Sequence, residues 1–281
     1  MKLCRYGAPG EERSGLIDQT GKLRDLTSVC PSIDGAALSP HGLNRIRSCV
    51  PEELPLVPGT PRLGAPHVGA SKFICIGLNF SDHAAESGMA VPAEPVIFMK
   101  ATTAICGPDD ATMQPLNCTQ LDWEVELGVI IGSKTRNVSE ERALEHVAGY
   151  CVINDVSERA FQMQSSQWDK GKGCDTFGPI GPWLVTRDEI TDVQDLDMWL
   201  AVNGRRMQTG NTRTMIFGVR ALISYVSRYM TLLPGDIIST GTPPGVGMGQ
   251  KPNPIWLQPG DVVELGISGL GRQRHEVIAF E

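Results

Sequence analysis

Between Leu121 and Leu127 the chain reads Leu-Asp-Trp-Glu-Val-Glu-Leu, which sets Glu124 and Glu126 one residue apart in an apolar, strand-like run. A β-strand repeats every two residues, so the two carboxylates project from one face. The run continues as Gly128-Val129-Ile130-Ile131 and predicts an interior strand. Adjacent buried anions repel and are costly unless something positive neutralises them. A hard divalent cation is one remedy. A solvent-facing sheet surface with Lys or Arg partners is the alternative. A third carboxylate favours the cation. Gly149 to Ser157 reads as a short β run ending in Asn154-Asp155, then a helix start with Ser157 as N-cap and Glu158 in the first turn. Three carboxylates with open positions suit octahedral Mg²⁺ or Mn²⁺. The eight cysteines are scattered without a Cys-x-x-Cys, so no zinc site competes.

His83 is the candidate for proton transfer. In Gly77-Leu78-Asn79-Phe80-Ser81-Asp82-His83-Ala84-Ala85-Glu86-Ser87-Gly88, His83 and Glu86 fall three apart on a predicted helical turn. A carboxylate at that spacing can fix the imidazole tautomer and raise its basicity, an arrangement that activates water. A surface His with a helical neighbour fits the same spacing. His41, His67, His146 and His275 lack such partners and are assigned structural or surface roles. Lys172, in the glycine-flanked loop Trp168 to Pro179, and Lys100, ending the β run Val96 to Met99, are candidates for holding an anionic substrate.

These residues must be positioned by a β-heavy scaffold. With 281 residues, 31 glycines and 20 prolines, the chain has room for one large domain with a small appendage. Residues 1–70 read as a small N-terminal α+β unit and linker. Its parts are a hairpin around Gln19-Thr20-Gly21, a helix from Ser39 to Ser48, and a Pro-rich stretch from Pro51 to Gly69. From residue 71 onward β runs dominate: 72–77, 96–99, 123–131, 149–155, 183–186, 198–202, 236–239, 261–267 and 274–280. Asn203-Gly204 marks a hairpin turn. Helices are predicted over 139–147 and from Gly218 to Met230, where Val219, Leu222, Ile223, Val226 and Met230 recur at helical spacing. The order is not an alternating β-α-β series, which argues against a doubly wound sheet. Neither Gly-rich stretch (171–174, 241–247) carries a phosphate-loop signature.

A net charge of −7 argues against nucleic acid or an anionic membrane as partner, and no run of roughly 18 apolar residues is present. The expectation is a cytoplasmic enzyme with reduced cysteines acting on a small molecule.

In order along the chain, residues 77–86, 122–127, 154–159, 170–182 and 234–247 resemble the motifs of the fumarylacetoacetate hydrolase family, over a stretch from Phe73 to the C-terminus. The resemblance implies a β-rich α+β fold, a mixed β-sandwich roll with a small N-terminal domain, assembled as a homodimer or homotetramer. It implies Mg²⁺ (or Mn²⁺) on Glu124, Glu126 and Asp155, and a His83–Glu86 dyad on a lid. Lys172 matches the family's active-site lysine, and Gln162 and Thr242 match substrate-contacting residues. Arg159 and Lys100 are grouped with them as substrate-binding. Phe80 stands where many members carry Tyr, and Ala160 where many carry Asp; neither removes a metal ligand.

The implied substrate is a 2-oxo acid. Residues 167–185 and 239–249 look closest to the sugar-acid branch, hydrolases that cut the C3–C4 bond of 2,4-diketo-3-deoxy-L-rhamnonate or L-fuconate to pyruvate and L-lactate. Acylpyruvate (fumarylpyruvate) hydrolysis, oxaloacetate decarboxylation and keto–enol isomerisation on the same site are alternatives. A ureidoglycolate lyase is a weaker one, and a non-enzymatic carboxylate-rich β protein is the rival outside enzymology.

Overall fold

The computed structural model of the chain describes residues 1–82 and 92–280. Its centre is a mixed sheet that runs through Gly178–Thr186, Val147–Asn154, Val125–Ile131, Ile237–Ser239 and Phe73–Gly77 to an edge at Val96–Lys100, in that spatial order. Val125–Ile131 is buried along its whole length because both faces are covered. Val125, Leu127, Val129 and Ile131 point into one apolar core, and Ile130 points into a second. The first core is closed by a five-stranded sheet that includes Asp197–Val202, Val262–Ile267 and Gly271–Ile278, and by the helix Val219–Tyr229. That helix buries Val219, Leu222, Ile223 and Val226 on one stripe, as the spacing predicted.

The N-terminal segment covers the second core and is not free-standing. Lys2–Tyr6 pairs with Gly178–Thr186, which extends the central sheet through Arg13–Ile17 to Leu23–Asp25. The helix Pro40–Arg47, capped by the Ser39 hydroxyl on the Gly42 N–H at 3.1 Å, packs Leu43 and Ile46 in the same core as Ile130 and Ala148. Strand pairing and a shared core therefore join a segment that sequence had set apart at residue 70. Close packing also fixes Gly149, since a Cβ there would fall 2.3 Å from the Val185 carbonyl oxygen.

Three local expectations are corrected. The stretch 139–147 forms only a 3₁₀ turn, Ala143–His146, because Val147 and Ala148 are drawn into the central strand. The predicted strand over 123–131 is broken: Leu121–Asp122 pairs instead with Ser157–Glu158, and the long strand begins at Val125. Ser157 is consequently not a helix cap. Its hydroxyl bonds back to the Asp155 carbonyl at 2.9 Å, and Glu158 caps the short helix Arg159–Gln162 through the Phe161 N–H at 2.6 Å. The Asn203-Gly204 turn does form, with φ of 50° and 76°, the positive pair that a tight hairpin requires. No described helix is long and apolar enough to cross a membrane.

Candidate active site

The central register brings the three carboxylates together. Val125 lies opposite Asn154 and Glu126 opposite Ile153, so the next position sets Glu124 against Asp155, whose N–H donates to the Glu124 carbonyl at 2.9 Å. Alternation then turns Glu124, Glu126 and Asp155 to the same side. One oxygen from each lies within 4.8 Å of the others, and all three residues are buried. Sequence spacing anticipated this convergence, although Glu124 sits just before the strand and not within it.

Two cations are wedged among them. Lys172, from the short helix Asp169–Lys172, places Nζ 2.7 Å from both Glu124 Oε2 and Asp155 Oδ2. Arg159 spans three groups: Asp122 Oδ2 at 2.9 Å, Glu124 Oε1 at 2.6 Å and Gln162 Oε1 at 3.0 Å. Burial alone would raise the Glu124 pKa, but Arg159 and then Lys172 outweigh it and hold it down to about 2. The same carboxylates keep Lys172 protonated against its own burial. Glu126 differs. Among the described residues its partners are neutral, the Ser239 hydroxyl at 2.6 Å and the Gly241 N–H at 2.9 Å. Burial, with repulsion from Asp155 and Glu124, pushes its carboxyl well above the ordinary range.

The charge count bears on the metal. Asp122, Glu124, Glu126 and Asp155 face Lys100, Lys172 and Arg159, so one buried acid is in surplus, and Glu126 is the one without a cationic partner. An all-oxygen donor set whose one uncompensated acid, Glu126, can give up its proton to an arriving cation fits a hard divalent ion.

Lys172, Arg159, Gln162 and Thr242 join Glu124 and Glu126 on the wall of one cavity of about 210 Å³. That is below the ~300–1,000 Å³ of drug-sized sites and suits a small acid. Thr242 is held by its hydroxyl on the Val125 carbonyl at 2.9 Å. Lys100 is placed differently from the expectation. It lies behind the acids and off the cavity wall, with Nζ 2.6 Å from Asp155 Oδ1 and 2.9 Å from the Val156 carbonyl. It ends the edge strand of the central sheet but is itself buried, so its charge serves Asp155. His83 and Glu86 lie outside the described residues.

Several participants escaped sequence reasoning. Asp122 receives the Gly247 and Met248 N–H groups at 2.6 and 3.0 Å as well as Arg159, tying that loop to the floor of the site. Buried Gln208 bonds the Val125 N–H, the Thr242 hydroxyl and the Pro243 carbonyl at 2.8–3.0 Å. Of the apolar wall residues (Leu78, Phe98, Met163, Trp168, Met248), Leu78, Trp168 and Met248 lay in stretches that carried the family resemblance, but none was read as lining a site.

The family model for the fumarylacetoacetate (FAA) hydrolase C-terminal domain matches residues 72–278. A Burkholderia cenocepacia chain whose name goes no further than hydrolase is 60% identical over 276 residues, 97% of each chain. Among solved structures, fumarylacetoacetate hydrolase from Exiguobacterium antarcticum aligns over the whole of both chains at 37% identity and a TM-score of 0.87. Maleylpyruvate hydrolase from Sphingobium sp. SYK-6, solved with manganese(II) and pyruvate, also aligns over both whole chains, at 28% identity and a TM-score of 0.84. With its ordered motifs, its β-rich fold and this full-length likeness, the chain belongs to the fumarylacetoacetate hydrolase family.

Proposed function

We propose that the protein is a divalent-metal-dependent hydrolase that cuts the C3–C4 bond of a 2,4-diketo acid. The observation that carries this reading is the convergence of Glu124, Glu126 and Asp155 beside a protonated, buried Lys172 on the wall of a small cavity. The manganese and pyruvate held by the Sphingobium relative support it. Mg²⁺ or Mn²⁺ on the three carboxylates would supply Lewis acidity toward the substrate's carboxylate and 2-oxo oxygens.

The chain's own groups account for the remainder. Arg159 fixes the Gln162 carboxamide through Oε1, which leaves its NH₂ free to donate to a substrate oxygen. Thr242 lines the same wall. His83, which the sequence pairs with Glu86, would take a proton from water as its oxygen bonds to C4. The C3–C4 bond then breaks with its electron pair moving to C3, and Lys172 offsets the charge that develops. C3 takes up a proton, giving pyruvate and a carboxylic acid. Were the substrate one of the deoxy sugar acids that the sequence suggested, that acid would be L-lactate. The expected setting is a cytoplasmic homodimer or homotetramer.

His83→Ala should lower kcat for 2,4-diketo acids by about 10²–10⁴, the span of a lost general base, with pyruvate affinity little changed. Steady-state pyruvate release and calorimetric pyruvate binding check this. Oxaloacetate decarboxylation needs no activated water. A variant that still decarboxylates but no longer hydrolyses would identify the base, whereas unchanged 2,4-diketo acid cleavage would remove His83 from the mechanism.

A further inference from the structure

The polar floor of the cavity is matched by a wall of opposite character, and nothing in the reaction as described requires it. Phe98 begins at the floor: its ring centroid is 5.0 Å from Lys172 Nζ, the ammonium that bridges Glu124 and Asp155. Trp168 continues the wall, with its ring 5.3 Å from Phe98 and tilted by 60°. The position of the indole is built in. It lies against Gly77, where a Cβ would come within 2.4 Å of the ring, so the missing side chain leaves a slot that the indole fills. Leu78 follows with φ of 54°, an uncommon conformation for a leucine, and it lines the cavity. The segment is pinned there by Asn79, whose carboxamide donates to the Thr240 and Phe217 carbonyls at 2.8 and 3.0 Å and accepts from the Phe217 N–H at 2.8 Å. Met248 and Met163 reach the mouth, 39% and 71% exposed, where unbranched thioethers can adjust to a guest.

We propose that this wall is the subsite for the group beyond the 4-carbonyl, and that it selects an apolar acyl group longer than methyl, with Trp168 as the specificity-determining residue. The inference rests on the C–C hydrolase reading and sharpens it. A substrate seated with its diketo acid end at Lys172 and Gln162 must send its distal group along Phe98 toward Trp168. Of the side chains of that wall, Leu78, Phe98, Met163, Trp168 and Met248, only Trp168 carries an N–H or O–H, its indole N–H. A hydroxylated distal group, such as that of the L-rhamnonate derivative, would lose water and regain at most the one hydrogen bond that the indole offers. An alkyl group gains about fourfold in kcat/KM for each methylene it buries.

The test is pyruvate release, with Mg²⁺, from acetylpyruvate, butanoylpyruvate, hexanoylpyruvate and 2,4-diketo-3-deoxy-L-rhamnonate. The proposal expects kcat/KM for butanoylpyruvate to exceed that for acetylpyruvate by roughly tenfold, and to exceed that of the sugar derivative. Trp168→Ala should bring the butanoyl-to-acetyl ratio to about 1–2, and Trp168→Phe should restore most of it. Equal values along the acyl series, a maximum for the sugar acid, or an unchanged ratio in Trp168→Ala would overturn the subsite and leave the hydrolase reading standing. Release from none of the four would overturn the hydrolase reading and the subsite with it.

Discussion

Asp155→Asn is expected to reduce metal-dependent pyruvate release by on the order of 10³-fold, because several kcal/mol of Lewis-acid stabilisation departs with the metal. Asparagine keeps the shape and removes the charge. Asp155 is fully buried and faces two ammonium groups, Lys172 at 2.7 Å and Lys100 at 2.6 Å. Breaking a buried ion pair on one side costs about 3–5 kcal/mol, so the variant should also melt earlier. Metal titration by calorimetry, with a circular-dichroism melt on the same sample, separates the two effects. A folded variant that keeps both metal affinity and turnover would remove Asp155 from the site.

Lys172→Met should act on the same centre in the opposite sense for the metal. Methionine fills the volume beside Phe98, but it no longer neutralises Glu124 and Asp155. A divalent cation should therefore bind more tightly than to the parent protein. Turnover should nonetheless fall by about 10²–10³, the cost of losing one donor aimed at developing negative charge. If Lys172 were only a counter-ion for the acids, added Mg²⁺ would restore full activity. Mn²⁺ binding followed by electron paramagnetic resonance, beside steady-state kinetics, distinguishes these outcomes.

Much of this centre was legible in the sequence because it depends on short-range periodicity. The Glu-Val-Glu spacing and a strand ending in Asp are local facts, and the antiparallel register that joins them follows from two apolar runs of similar length. The helix Val219–Tyr229 was legible for the same reason. Tertiary pairing was not. Ser157 looked like a cap until Ser157–Glu158 paired with Leu121–Asp122, an interaction across more than thirty residues of chain. The N-terminal unit looked separate because a Pro-rich stretch follows it, yet Lys2–Tyr6 completes the central sheet. Lys100 shows the limit for side chains. Its type suggested contact with an anionic substrate, while its burial at the end of Val96–Lys100 turned it toward Asp155.

The most direct measurement is pyruvate release from a 2,4-diketo acid panel, with oxaloacetate alongside, in Mg²⁺, in EDTA and after Mg²⁺ is restored. Stoichiometric pyruvate and carboxylic acid from the diketo acids, lost in EDTA and regained with the metal, is the predicted result. Turnover unaffected by EDTA, or turnover of oxaloacetate alone, would contradict metal-dependent C–C hydrolysis by this site.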